Sequence, residues 1–437
     1  MTRTYRRRPR LLGAGILALS LVAASCGDDD EASDATDAPA ATEAAATDAP
    51  AATEAAATDA PAATEAAATT MAGTDAPAST TGGTGSGGAT TVGSTAGAAA
   101  ECDTPDPVSL QLQWFVQAQF GGYLAAIDQG FYEDMCLDVE ILEGGVDIVP
   151  QQQLADGAAD FAIAWVPKAL QTREQGANIV NIAQIFQRSG TLQVSFADAG
   201  ITSPADFAGK KIGVWEFGNE YEVTAAALKE GLVAGEDYEK VIQPFDMSLL
   251  LNREIDVAEA MIYNEYAQVL EAEDPDTGAL YQPEDLSVID YNEVGTAMLQ
   301  DAIFAREAWL AEEGSEDVAE RFLRASFRGW IFCRDDPDAC IQYTVDAGST
   351  LGAGHQAWMM NEINPLIWPS PDGIGAMPMD TWDQTVAVSL EAKIIDAEPA
   401  EGAFRTDLAD AAREGITEDA TGEGFTKGTV EVTPGGN

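Results

Sequence analysis

The chain has 437 residues, with 22 Lys and Arg against 73 Asp and Glu, one His and five Cys, for a formal charge of −51. That balance argues against a nucleic-acid partner, which needs Lys and Arg to neutralise phosphate, and against docking on anionic lipid through a basic patch. Apolar residues are 46% of the chain, enough for a large core.

Arg3, Arg6, Arg7, Arg8 and Arg10 make a positive leader, followed by an apolar run over 11–24 and then Ala23-Ala24-Ser25 ahead of Cys26. The run is too short to span a bilayer as a helix. Small residues before a cysteine resemble a bacterial lipoprotein cleavage box, although Ala23 stands where Leu is usual. Residues 1–26 therefore read as a lipoprotein signal peptide with Cys26 as the lipid acceptor; ordinary cleavage near Cys26 is the alternative. Residues 36–46, 47–57 and 58–68 repeat TDAPAATEAAA, and Gly/Ser/Thr-rich sequence follows. A proline in every unit breaks a helix. The tract 27–101 has 13 acidic residues, no basic one and no aromatic ring, so it cannot bury enough surface to fold. It reads as a disordered tether or a glycosylated stalk.

Residues 102–437 keep 17 basic and 60 acidic residues, a net charge of −43. Strands are expected at 108–114, 137–142, 160–165 and 178–186, separated by helices at 119–132, 149–156 and 168–175. This βαβ alternation predicts a parallel sheet covered on both faces. A second series follows: a short helix at 203–207, strands at 211–215, 239–245, 258–263 and 286–292, and helices at 222–232 and 248–254. The apolar run 296–306 can return to the first series. Helices at 318–332, 337–345, 355–363 and 379–395 complete the chain. Two series joined by two crossings predict a two-lobed α/β clamp, each lobe a doubly wound sheet. Lobe one would be 102–195 plus 300–437, and lobe two 196–299. No later stretch is apolar and long enough for a transmembrane helix. Four cysteines in an exported domain predict disulfides. Cys102 and Cys136 precede neighbouring strands and are expected to pair; Cys333 and Cys340 flank a short turn between helices and are expected to pair locally.

Ligands of open parallel sheets bind beyond the carboxyl ends of the strands. Those ends carry Trp114 with Gln117, Gln119 and Phe120; Glu143-Gly144-Gly145; Trp165; Gln187; Trp215 with Asn219 and Glu220; and Tyr263 with Asn264 and Glu265. Three tryptophans from both series suit stacking on a planar ligand. Asn219, Glu220, Asn264 and Glu265 are equally good helix caps. His355 reads as a structural or solvated helix-start residue. Glu143, Glu220 and Glu265 outnumber Lys168 and Arg188, so a neutral or cationic aromatic compound is expected rather than an anion. No metal box, nucleophile–base pair or phosphate loop is evident, and no cofactor, metal or enzyme activity is expected.

The run LQLQWFVQAQFGGYLAAIDQGFYED, with FAIAWV, AQIFQRSG, GKKIGVWEFGNEYE and AMIYNEYAQVLE, resembles bacterial solute-binding proteins of ABC importers over about 106–395. The nearest group is the thiamine-pyrimidine-precursor binding family, with riboflavin-type binders beside it and taurine, sulfonate and nitrate binders further off. The resemblance implies a periplasmic-binding-protein type II fold, hinge closure, and delivery to a permease and its ATPase. It places Trp114, Gln117, Gln119, Phe120, Trp165, Trp215, Asn219, Glu220, Tyr263, Asn264 and Glu265 in the cleft. A monomer held by its lipid on the outer face of the cytoplasmic membrane is expected, with a riboflavin or pyrimidine-precursor ligand; a sulfonate, taurine or nitrate ligand is the alternative. A related fungal branch is a pyrimidine synthase that sacrifices a histidine and uses a cysteine-rich motif and iron. This chain departs from it, with one His and no Cys cluster.

Overall fold

The computed structural model describes residues 102–437; the leader, Cys26 and the repeat tract lie outside the described residues. Ten strands form in chain order. They are β1 (Asp106–Gln111), β2 (Leu137–Leu142), β3 (Phe161–Ala164), β4 (Ile179–Gln184), β5 (Thr191–Phe196), β6 (Lys211–Val214), β7 (Glu239–Ile242), β8 (Ala258–Met261), β9 (Leu286–Asp290) and β10 (Ala302–Arg306). The first sheet has the order β2-β1-β3-β10-β4. In the second group, β5 lies between β8 and β9, while β6 pairs with β7. A parallel bridge between Ile212 and Val257 sets β6 beside β8. The full order β7-β6-β8-β5-β9 therefore repeats the first sheet.

Wholly parallel sheets were expected, and this is corrected. β10 runs antiparallel to β3 and β4, and β5 antiparallel to β8 and β9. The reason is geometric. The chain leaves each sheet at the carboxyl ends of its strands, so it enters the other sheet at that same edge and must run away from it. β5 itself has no counterpart in the sequence reading. Its six residues are all buried, and it follows Gly190 so closely after β4 that no polar loop announces it. It belongs to the second sheet, so the first crossing falls between Gln184 and Thr191 rather than near residue 196. β1 ends at Gln111 rather than at 114, and the following residues form an irregular wall. The helix expected over 119–132 is broken into a short 3-10 turn, Gly121–Asp128 and Phe131–Asp134, with Gly130 at φ 74 between the last two.

The first sheet is covered by the amphipathic helix Ser315–Asp335, which buries Phe322, Leu323, Phe327 and Trp330. Phe322 stacks on Phe161 of β3 at 4.1 Å between centroids. Both expected disulfides are present, Cys102–Cys136 and Cys333–Cys340. Among the described residues, no helix is long and apolar enough to cross a membrane.

The helix Gly121–Asp128 follows directly on the wall after β1, so its seating sets that wall. It crosses Ser315–Asp335 at two glycines. A Cβ on Gly329 would lie 1.9 Å from the carbonyl oxygen of Gly122, and one on Gly122 would lie 2.2 Å from the Trp330 ring. At an ordinary helix position Gly→Ala gains about 1 kcal/mol. Here the sign reverses: Gly329→Ala should cost about 3 kcal/mol through overpacking, read from urea unfolding. A stabilised variant would show that the crossing is not this close.

Candidate functional site

A cavity of about 320 Å³ opens at the carboxyl ends of the two sheets. From the first sheet it is lined by Gln113, Trp114, Gln117 and Gln119 after β1, the loop from Gly145 to Gln151 after β2, and Trp165 and Lys168 after β3. From the second it receives Trp215, Phe217 and Asn219 after β6, Phe245 after β7, and Met261, Tyr263, Asn264 and Glu265 at and after β8. Gly144 permits the first wall. A Cβ there would stand 2.5 Å from the Trp114 nitrogen, and its own N–H donates to the Trp114 carbonyl at 3.0 Å.

The structure brings Trp114, Gln117, Gln119, Trp165, Trp215, Asn219, Tyr263, Asn264 and Glu265 together in this lining. Phe120, Gln187 and Glu220 fall outside it. Phe120 is buried in the main hydrophobic core, because the helical turn after Gln117 aims it inward. Gln187 is tied to the main chain, its Nε2 donating to the carbonyls of Gln184 and Ala376. Glu220 turns back on its own loop, accepting from the Gly218 N–H at 3.0 Å, and lies 3.9 Å from Lys240. Glu143 likewise accepts from the Val116 N–H. Sequence reasoning missed Gln113, Phe217, Phe245 and the 145–151 loop. Their signal was weak: each sits two to nine residues past a strand end, in a loop whose direction no periodicity encodes.

One buried acid organises the first wall. Asp301 accepts from the Trp165 indole N–H at 2.8 Å and from Gln119 Nε2 at 2.8 Å, and Gln117 Nε2 donates to Gln119 Oε1 at 2.7 Å. Burial pushes the Asp301 carboxyl up to about 6. Lys168 donates to Asn219 Oδ1 at 2.7 Å and sits 4.3 Å from the centroid of Trp165, so it joins the two walls. Burial lowers its ammonium to about 8, against the pull of Glu259, Glu220 and Asp301. In the second wall, Glu265 accepts from the Met261 N–H at 3.0 Å and from Asn264 Nδ2 at 2.8 Å, and burial raises it to about 7. Beneath it, Glu259 accepts from the Trp215 N–H, and burial holds its carboxyl well above the usual range.

The rings form a contiguous aromatic cluster. Trp114 lies 4.6 Å from Phe245, and Phe245 stacks on Trp215 at 6.0 Å. Phe217 stands at the rim, 73% exposed, at φ 63, a strained backbone for an aromatic residue. Two lining side chains have buried oxygens without a partner, Gln113 Oε1 and Gln151 Oε1. A buried acceptor left unmade is costly, and a ligand N–H would satisfy it. Among the described residues, no three His, Cys, Asp or Glu side chains cluster as a metal site.

The two crossings meet at one side of this cavity. Glu222 accepts from Ser189 Oγ at 2.8 Å in the first and from the Met298 N–H at 2.6 Å in the second. Gln300 bridges them again, donating to Ser189 Oγ and Thr191 Oγ1 and accepting from the Gly190 N–H. Burial pushes the Glu222 carboxyl up to about 8.

Residues 117–340 match the family described as NMT1/THI5 like. The chain is 26% identical over 249 residues to the formylaminopyrimidine-binding protein of Halalkalibacterium halodurans, covering 56% of this chain and 71% of that protein. It is 25% identical over 122 residues to the 4-amino-5-hydroxymethyl-2-methylpyrimidine phosphate synthase of Legionella pneumophila, covering 28% of this chain and 39% of that one. Its structure superposes on the alkanesulfonate-binding protein of Xanthomonas axonopodis with a TM-score of 0.51 at 12% identity, over 69% of this chain and 99% of that chain. The architecture is the periplasmic-binding-protein fold, type II.

The buried acids set a pH dependence. Glu222, Glu265 and Asp301 titrate near 8, 7 and 6 when folded, against about 4 when unfolded. Between those values the folded chain binds more protons than the unfolded one, so stability falls as pH rises. The melting temperature should be highest near pH 5 and decline toward pH 8. Glu222→Gln removes the titration and keeps an oxygen for the Met298 N–H, with its amide N–H turned to Ser189 Oγ, so it should flatten this decline in calorimetric scans. An unchanged slope would mean that Glu222 is not held neutral.

Proposed function

This chain belongs to the NMT1/THI5-like family, and on that premise we propose that it is an extracytoplasmic solute-binding protein of an ABC importer for a planar aromatic N-heterocycle of the aminopyrimidine class. The observation that carries the ligand class is the lining itself. Tryptophans from both sheets frame a cavity that holds two unpartnered buried carbonyl oxygens, Gln113 Oε1 and Gln151 Oε1. Rings supply faces for stacking. The carbonyls and Glu265 accept N–H groups, and Lys168 donates to a ring nitrogen or carbonyl. The formylaminopyrimidine-binding relative supports this class by its name.

The mechanism is clamp closure. The crossings joined through Glu222 and Gln300 serve as the hinge between two lobes, and a ligand touching both sheets favours the closed state by its differential contacts. Closure presents a surface to the permease and its ATPase. Cys26 carries the lipid, and the repeat tract spaces the monomeric domain from the outer face of the membrane. The role is capture rather than turnover, a reading supported by the name of the binding-protein relative. A sulfonate or nitrate ligand would rest on Lys168, the one Lys or Arg in that lining.

Thermal-shift measurements on the disulfide-bonded protein with aminopyrimidines, thiamine, riboflavin, taurine, alkanesulfonates and nitrate test this reading, since a ligand of the native state raises the melting temperature. A shift with an aminopyrimidine is expected; a shift confined to sulfonate or nitrate would overturn the ligand class and leave the importer role. Trp114→Ala should then weaken binding by roughly 1–3 kcal/mol if stacking carries the affinity, read by calorimetric titration. Unchanged affinity would remove the stacking claim.

A further inference from the structure

His355, the single histidine of the chain, is 1% exposed near the start of the helix Ala353–Ile367. Both ring nitrogens face oxygen. Nδ1 lies 2.9 and 3.0 Å from the two carboxylate oxygens of Glu271, and Nε2 lies 3.0 Å from Asn264 Oδ1. The orientation of the Asn264 amide is set independently. Its Nδ2 donates to Glu265 Oε1 at 2.8 Å, and its Oδ1 accepts a second bond from Gln268 Nε2 at 3.2 Å. A ring nitrogen that faces the Asn264 carbonyl oxygen has to donate, so Nε2 carries the hydrogen in this pairing.

The end of the chain clasps this pair. The Gly435 N–H donates to the Glu271 carbonyl at 3.0 Å. Gly436, at φ 70, lies so close that a Cβ would stand 2.7 Å from His355 Cβ and 3.0 Å from Glu271 Oε2. Along the same helix, Trp358 Nε1 donates to the Ile262 carbonyl at 3.1 Å. The helix Ala353–Ile367 is thus fastened to the segment that follows β8. Asn264 and Glu265 line the cavity, whereas His355 and Glu271 stand behind them.

We propose that His355 is a positioning residue for ligand binding: its Nε2–H pins the Asn264 amide, and that amide holds the Glu265 carboxyl in the orientation it shows to the cavity. The assignment rests on the cavity being the ligand site. Without the ring, Asn264 Oδ1 keeps only Gln268, and Glu265 loses the fixed position of one of its two donors. A ligand N–H would then meet an acceptor that has to be ordered at the moment of binding, at a cost in affinity.

A single histidine makes the test unambiguous, because ¹⁵N-histidine labelling yields one ring. Nuclear magnetic resonance of the full chain should show a hydrogen on Nε2; a bare Nε2 would overturn the proposal. With 4-amino-5-hydroxymethyl-2-methylpyrimidine as the probe, His355→Gln should bind about tenfold more weakly, as expected for a lost hydrogen bond in a buried chain. Glu271→Gln should keep the Nε2 hydrogen and weaken binding less. If His355→Gln does not fold, loss of the Nε2 hydrogen in Glu271→Gln with wild-type affinity overturns the proposal. Wild-type affinity in His355→Gln does the same. If the wild-type protein fails to bind the probe, the ligand class fails instead. The Asn264 side-chain amide signals then decide: a shift between wild type and His355→Gln supports positioning, and coincident signals refute it.

Discussion

The two chain crossings at the cleft edge constrain everything else in the domain. Because each crossing leaves one sheet and enters the other at the same edge, each sheet must accept one antiparallel strand, and β5 and β10 are those strands. The second crossing ends in Gln300-Asp301. Gln300 bonds the first crossing through Ser189 and Thr191, while its neighbour Asp301 holds the Trp165 indole and Gln119. Hinge and binding wall therefore share one dipeptide. In the proposed clamp, rotation about the crossings would carry the anchor of the wall with it and so couple ligand geometry to lobe angle.

The acidity of the chain gives a poor picture of its cavity. Net charge and the glutamates near strand ends suggest a negatively charged cleft that repels anions. In the fold, Glu143 and Glu220 are spent on backbone N–H groups outside the lining, and burial favours the neutral forms of Glu265 and Glu259. Desolvation works against the charged form of a carboxyl more strongly than the available donors favour it. What the lining offers instead is a set of acceptor oxygens. Gln113, Gln151 and Glu265 offer oxygens, and the ammonium of Lys168 already serves Asn219.

The alternation of strand and helix was legible because period-2 and period-3.6 patterns survive in each short segment, and the strand-end rule then placed Trp114, Trp165 and Trp215 correctly in the lining. The rule failed where position along the chain and direction in space part company. Phe120 lies within six residues of Trp114, yet the turn between them rotates it into the core. Phe245 lies three residues beyond β7 and returns to the cavity because it stacks on Trp215 and meets Trp114 at a tilt. β5 escaped notice since six buried residues, without an exposed alternate, look like a continuation of β4 rather than a new strand. His355 was equally opaque. Nothing local to it points to Glu271, a partner 84 residues away.

The distribution of satisfied and unsatisfied groups identifies where a closing clamp would gain its free energy. The floor is already complete: Trp165, Gln119 and Glu265 have their partners within their own wall before any ligand arrives. Such groups bind open and closed forms alike, and equal affinity for two states shifts neither. The rim is different. Val146, Val149 and Phe217 stand exposed there, drawn from both sheets, and Gln113 and Gln151 hold buried oxygens with nothing to accept. Covering apolar rim surface and engaging those oxygens are contacts that only a ligand held between the walls can make together. The preorganised floor fixes which molecule fits, and the unsatisfied rim fixes how strongly its arrival favours closure.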